Sequence, residues 1–310
     1  MNTKPFILSP RARGTRISLH VLCFFVMTAF SVSFAQTDIT GLKQLKHDED
    51  KGIHNALFKI SDTQAILAYS GYKGFGYVRT FSIASDGTIA KLGELKFDDE
   101  DASEIAIEQV ASDVYVIAYK GRSDDGFITT VKVSADGKTI TQIKKVEHDN
   151  KQGLYNKLIK VDSDTYALYY YGAAVSLGAT MKTFTIPADG SAITEEKSVV
   201  LSGSITTQPA LIQGDSDTYI SIHSTGSSGI IRTWDISADG KTITNVKSQT
   251  ISQFGQWPSI VKLDSDSYAV ASYGLGTDYN GTNRYGGIIT TLDIPVDGST
   301  VTEVTKMEHA

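Results

Sequence analysis

The 310-residue chain holds one cysteine, six prolines and two tryptophans. A single Cys excludes a disulfide scaffold and any zinc module built on thiolates. No long apolar run follows the N-terminal region, which excludes a polytopic membrane protein. No window combines helical spacing with caps. G-x-S-x-G, H-E-x-x-H and phosphate-loop patterns are all missing, so no familiar nucleophile or metal-protease signature is present. GYKGFG at 71–76 joins two strand-like runs without a helix N-terminus to hold a phosphate. Basic residues are outnumbered, 29 Lys+Arg against 35 Asp+Glu. That balance speaks against nucleic acid and anionic membranes, which require basic patches. What is present is 41% hydrophobic residues and 27 glycines. The hydrophobic share is too high for a disordered chain, and the glycines have no collagen period.

Residues 1–35 read as a secretory signal peptide. Lys4, Arg11, Arg13 and Arg16 form a basic start, Ile17 to Phe34 is the apolar stretch, and Ser33 and Ala35 are small residues at −3 and −1. Cleavage is expected before Gln36. The alternative is an uncleaved anchor, because the stretch nearly spans a bilayer. Cleavage would remove four of the 29 basic residues and no acidic one, leaving a net charge of about −10. It would also remove Cys23, the only cysteine, and leave no membrane span. The expected location is periplasmic, secreted or at the cell surface.

The remainder is a repeat. Ser-Asp followed by an apolar run recurs with its Asp at 62, 113, 164, 217 and 266. A second landmark ends in Asp-Gly, starting at 86, 136, 189, 239 and 297. Each repeat carries four runs of five to eight residues rich in Val, Ile, Thr, Tyr and Phe. They alternate as strands do: in GYVRTFSI, Tyr77, Arg79, Phe81 and Ile83 share one face. Asp-Gly predicts a tight hairpin in which both residues tolerate φ > 0. Four antiparallel strands recurring at about 50 residues predict propeller blades. The expected fold is an all-β, five-bladed β-propeller over 36–310, with units near 51–99, 100–150, 151–202, 203–253 and 254–310. An extra strand at 39–47 precedes them, because ITGLKQLKHDED matches ITQIKKVEHDN from Ile140. TEVTKMEHA repeats that segment once more at the C-terminus, giving about 21 strands. One strand is then surplus, or the phase is shifted, or the chain forms part of a larger ring.

Ser-Ala-Asp-Gly-Lys-Thr-Ile at 134–140 and again from Ser237 resembles the Asp box of sialidase-like propellers. The spacer between Asp and Gly is missing and Ile stands for Trp. The resemblance implies a stabilising turn between third and fourth strands, and no catalysis. More broadly the repeat resembles exported propellers of bacterial and archaeal surfaces, which implies fold and compartment but no activity.

Several constellations are candidates for a site. His54, Glu104, Tyr155, Gln208 and Trp257 recur eight or nine residues before the turn aspartates, so a ring would bring them to one rim. Aromatic faces beside amides and acids suit a sugar. Arg79 and Arg232 share a repeat position and would suit an anion if they converged. The long loop at 274–287 offers Tyr279, Arg284 and Tyr285. Calcium is the one cofactor considered, on the Asp-Ser-Asp pairs 162/164, 215/217 and 264/266, but a hairpin turn explains them without a metal. His47, His148 and His309 share a repeat position, too few for a metal site. Glu108 is the one strand acid set apart, and no second carboxylate is placed across from it.

These readings predict no catalytic residue. The first functional expectation is an exported, non-enzymatic binding module that recognises carbohydrate or protein on one propeller face. The alternatives are an extracellular glycan-active enzyme of the hydrolase-like propeller kind, and a purely structural platform.

Overall fold

Twenty strands form five antiparallel sheets of four in this computed structural model, which makes the chain a five-bladed β-propeller. The structure describes residues 43–172, 178–201, 205–225, 228–252, 256–277 and 283–309. The leader expected over 1–35 lies outside them. Blade 1 is β1 (Ile53–Ser61), β2 (Gln64–Ser70), β3 (Gly76–Ile83) and β4 (Ile89–Asp98). Blade 2 is β5 (Ser103–Ala111), β6 (Val114–Lys120), β7 (Gly126–Val133) and β8 (Ile140–Asp149). Blade 3 is β9 (Gly153–Lys160), β10 (Thr165–Gly172), β11 (Gly178–Thr185) and β12 (Thr194–Leu201). Blade 4 is β13 (Ala210–Gln213), β14 (Thr218–Ser224), β15 (Ser228–Ile236) and β16 (Ile243–Ser252). Blade 5 is β17 (Gln256–Lys262), β18 (Ser267–Thr277), β19 (Asn283–Asp293) and β20 (Thr302–His309). Residues 43–47, the described part of the segment expected as an extra strand, carry no regular secondary structure.

Each blade is apolar on both faces, so it becomes stable only by packing against its neighbours. Four buried clusters fill the four successive junctions. Phe97, Ile117 and Tyr119 seal blades 1 and 2, and Val116, Ile128 and Tyr166 seal blades 2 and 3. Tyr169, Met181 and Trp234 seal blades 3 and 4, and Ile222, Ile231 and Tyr268 seal blades 4 and 5. The first strand of each blade lies against the first strand of the next, from β1 through β5, β9 and β13 to β17. These are therefore the inner strands, crowded toward the axis.

The Asp-Gly turns differ from the expected hairpin in one respect. Only the glycine is left-handed, as at Gly137 (φ 72°) and Gly190 (φ 68°). The Gly137 N–H donates to the Ser134 carbonyl at 2.8 Å, and Asp136 accepts from the Lys138 N–H at 3.0 Å. The turn therefore needs one flexible residue, and Asp serves as an acceptor instead. A Cβ on Gly190 would lie 2.9 Å from Val114 of blade 2, so the turn is also a packing surface. A lock follows from that contact. Thr80, Thr130, Thr183 and Thr233 each donate across a junction to a glycine carbonyl, at Gly137, Gly190, Gly240 and Gly298 respectively.

Two histidines are sealed in the junctions. Burial, then the Lys182 charge, brings His148 down to about 3. Burial, then the Arg232 charge, brings His223 to about 3 as well. A histidine depressed in the fold stays neutral while the unfolded chain takes up a proton below pH 6.5. Stability is thus full above pH 6.5 and is lost as pH falls from there toward 3. Each histidine is expected to cost about 1–2 kcal/mol between pH 7 and pH 5. Urea midpoints at the two pH values check this; equal midpoints contradict it.

Candidate functional site

The inner strands open with an irregularity that ordinary β-propensity does not produce. His54 (φ 55°), Glu104 (φ 52°), Tyr155 (φ 61°) and Trp257 (φ 52°) are left-handed although none is glycine. At each of them the pairing with the second strand slips, between Ile53 and Ala56, Ser103 and Ala106, Leu154 and Lys157, and Gln256 and Ser259. These are β-bulges, which turn a side chain away from its strand face. Left-handed non-glycine backbone costs about 1–3 kcal/mol per residue and persists where surrounding structure enforces it. Four such bulges at one repeat position mark the rim of the inner strands as the strained part of the fold.

One pair of neighbouring bulges is bonded directly, and two bulges bond to the segment before β13. The Tyr155 N–H of blade 3 donates to the Glu104 carboxylate of blade 2. Tyr155 Oη donates to the Thr206 carbonyl of blade 4 at 3.3 Å. The Trp257 N–H of blade 5 donates to Thr207 Oγ1 at 3.2 Å. Gln208 stands just before β13, half-buried and without positive φ, so it shares the position but not the conformation. Of the rim set expected from the sequence, Glu104 and Tyr155 are bonded to each other, Tyr155 and Trp257 each bond to a threonine of the segment before Gln208, and His54 is coupled by charge to Asp101, Lys120 and Lys51.

Electrostatics single out the blade 1–3 sector. Glu104 is half-buried, and that burial pushes its carboxyl above the ordinary range, partly offset by the Tyr155 N–H. Burial lowers His54, with the Lys120 and Lys51 charges adding to it and Asp101 opposing. Burial works against the Lys120 ammonium, but its 2.7 Å bond to Asp124 and the charges of Asp124, Glu104 and Asp101 outweigh it and raise the group. The sector therefore combines a carboxylate made more basic, a neutral imidazole and a firmly charged ammonium. Sequence spacing found Glu104 and His54; it missed Lys120 and Asp101, which come from the end of β6 and the loop before β5.

The other expected site residues lie elsewhere. Arg232 is buried between blades 3 and 4, donating to Tyr169 Oη at 3.3 Å beside His223. Arg79 is paired with Glu94 over the Tyr69 ring, on the face of blade 1 that points away from blade 2. The two arginines occupy separate places and do not converge on an anion. Trp257 is 62% exposed, with its ring tilted 6.2 Å from Tyr273. Tyr279 lies outside the described residues, as do the side chains of Arg284 and Tyr285. In the turn considered for calcium, Asp264 accepts the Asp266 and Ser267 N–H groups. Among the described residues no group of three His, Cys, Asp or Glu is placed to hold a metal ion.

No protein-family model and no curated protein matches the chain. Solved structures do resemble it in fold. A protein from Lactobacillus plantarum superposes with a TM-score of 0.53 at 13% identity, over 83% of this chain and 71% of its own. A "putative 6-phosphogluconolactonase" from Bacteroides fragilis superposes with a TM-score of 0.50 at 14% identity, over 82% and 84%. Another so titled, from Bacteroides uniformis, gives 0.51 at 10% identity over 82% and 84%. These neighbours correct the expectation of a non-enzymatic binding module. Two of these propellers are named as lactonases, and at 10–14% identity the likeness is one of fold.

Proposed function

We propose that the chain is a hydrolase-like propeller that opens a sugar lactone at the rim holding His54, Glu104, Lys120 and Tyr155. The observation that carries this reading is the bulged, left-handed backbone that sets Glu104 half-buried beside Lys120. The Bacteroides neighbours, named as 6-phosphogluconolactonases, suggest the substrate class. In this reaction Glu104 takes a proton from water as the water oxygen adds to the lactone carbonyl carbon. Lys120 stabilises the charge that develops on the carbonyl oxygen. The ring C–O bond then breaks, and Glu104 returns its proton to the departing alcohol oxygen. Tyr155 offers a ring face to the sugar, and His54, neutral at pH 7, offers a hydrogen bond.

The leader-like residues 1–35 support export, so the partner is a carbohydrate-derived molecule outside the cytoplasm. The test is acid release in a pH-stat from aldonolactones, five- and six-membered, with the purified chain. The expected result is saturable hydrolysis above the spontaneous rate. Spontaneous-rate hydrolysis in the presence of folded protein overturns the reading.

A further inference from the structure

The four junctions are built to one pattern, and blades 1 and 5 each present one half of a fifth. In the pattern, an inner-strand residue of the later blade is covered by the earlier blade. Ile107 of blade 2 is 9% exposed; Leu57, at the same position in blade 1, is 69% exposed. On the earlier blade, a fourth-strand residue packs against the next Asp-Gly turn: Leu92 lies against Gly137 and Ile143 against Gly190. Val304, the blade 5 equivalent, is 64% exposed, and Val261 and Met307 on the same face are exposed as well. The threonine lock ends in the same way. Thr291 holds the position of Thr80, Thr130, Thr183 and Thr233, yet it is half-exposed and makes no bond to a turn glycine among the described residues. Gly87, the acceptor position of blade 1, is also half-exposed, whereas its four equivalents are buried.

We propose that a second copy of this chain docks head to tail, blade 5 of one copy against blade 1 of the other. The occupant is argued from complementarity. Blade 5 carries the donor half of a junction the chain already forms four times, and blade 1 carries the acceptor half. Such a joint is heterologous, so it leaves one free half at each end and extends to a ring or a row.

Residues 43–50 guard the acceptor face. His47 meets the Tyr69 ring edge-on at 4.8 Å, as His148 meets Tyr170 at 4.7 Å. Asp48 accepts the Asp50 and Lys51 N–H groups, as Asp149 accepts those of Lys151 and Gln152. The segment thus stands where the end of the docking copy's β20 belongs, and Leu45 takes the place of Met307. Docking therefore displaces this segment, and loosening it promotes assembly.

The test is light scattering on the full chain after size exclusion, across a hundredfold range of concentration, with Leu57→Asp, Val304→Asp and His47→Ala. Leu57 and Val304 are exposed in the single chain, so the Asp variants keep its fold and its melting temperature. Wild type is expected to exceed one chain's mass as concentration rises, and His47→Ala to do so at lower concentration. Each Asp variant alone stays at one chain. An equimolar mixture of the two gives a two-chain species and nothing larger, because one good half remains on each. A wild type of constant one-chain mass overturns the proposal. So does association that persists in either Asp variant, or a mixture that forms no pair. Melting temperatures lowered in both Asp variants, with no change of mass, mean instead that the chain closes on itself.

Discussion

Glu104→Gln is expected to lower kcat/KM for lactone hydrolysis by about 10²- to 10⁴-fold, the range for removal of a general base. Gln keeps an oxygen for the Tyr155 N–H, so the bulge and the blade 2–3 contact survive. The variant therefore separates proton transfer from architecture. Burial raises the wild-type carboxyl. It is consequently the base above its raised pKa and inactive below it, so kcat/KM falls on the acid side at a pH above the ordinary glutamate value. Glu104→Gln loses that acid limb as well as the rate. A variant with wild-type kcat/KM, or one that keeps the limb, removes Glu104 from the chemistry.

Trp234→Ala is expected to cost about 3–5 kcal/mol, the range for emptying a fully buried aromatic site. Trp234 has no exposed surface and fills the junction between blades 3 and 4. Its ring lies edge-on to Tyr169 at 6.0 Å, and Nε1 donates to Ser221 Oγ at 2.8 Å. Truncation leaves a cavity and a buried hydroxyl without its donor. Trp257→Ala makes the control, because Trp257 is exposed and its truncation empties no core site, so its shift is expected to be much the smaller. The shift of the urea midpoint reads both. Equal shifts for the two tryptophans contradict the packing described for the junction.

The two tryptophans also show what a sequence with this repeat reveals and what it conceals. The repeat is legible because each blade must present the same alternating pattern to its neighbours, and the spacing of Asp62, Asp113, Asp164, Asp217 and Asp266 follows from that. The equivalence of His54, Glu104, Tyr155 and Trp257 is legible for the same reason. Their conformation is not, because left-handed backbone at a non-glycine residue is enforced by neighbours and has no local signature. Arg79 and Arg232 share a repeat position, but a third-strand residue faces the adjacent blade and not the axis. One is consequently sealed beside Tyr169, and the other sits on the outer face of blade 1. Lys120 carries no motif at all; the turn at 122–124 brings Asp124 to it, and the pairing of β5 with β6 brings Glu104. The Asp-Gly turn was half legible: glycine's freedom was the right signal, and the acceptor role of Asp was the part propensity omits.

The measurement that tests the central claim most directly is the position of a bound sugar lactam, a lactone analogue that resists hydrolysis, in a crystal of the wild-type chain. Its carbonyl oxygen is expected toward Lys120 and its ring against Tyr155, with the carbonyl carbon within reach of a water held by Glu104. A lactam bound instead beside Arg79 or at Trp257, or absent at saturating concentration from an open and accessible rim, would contradict it.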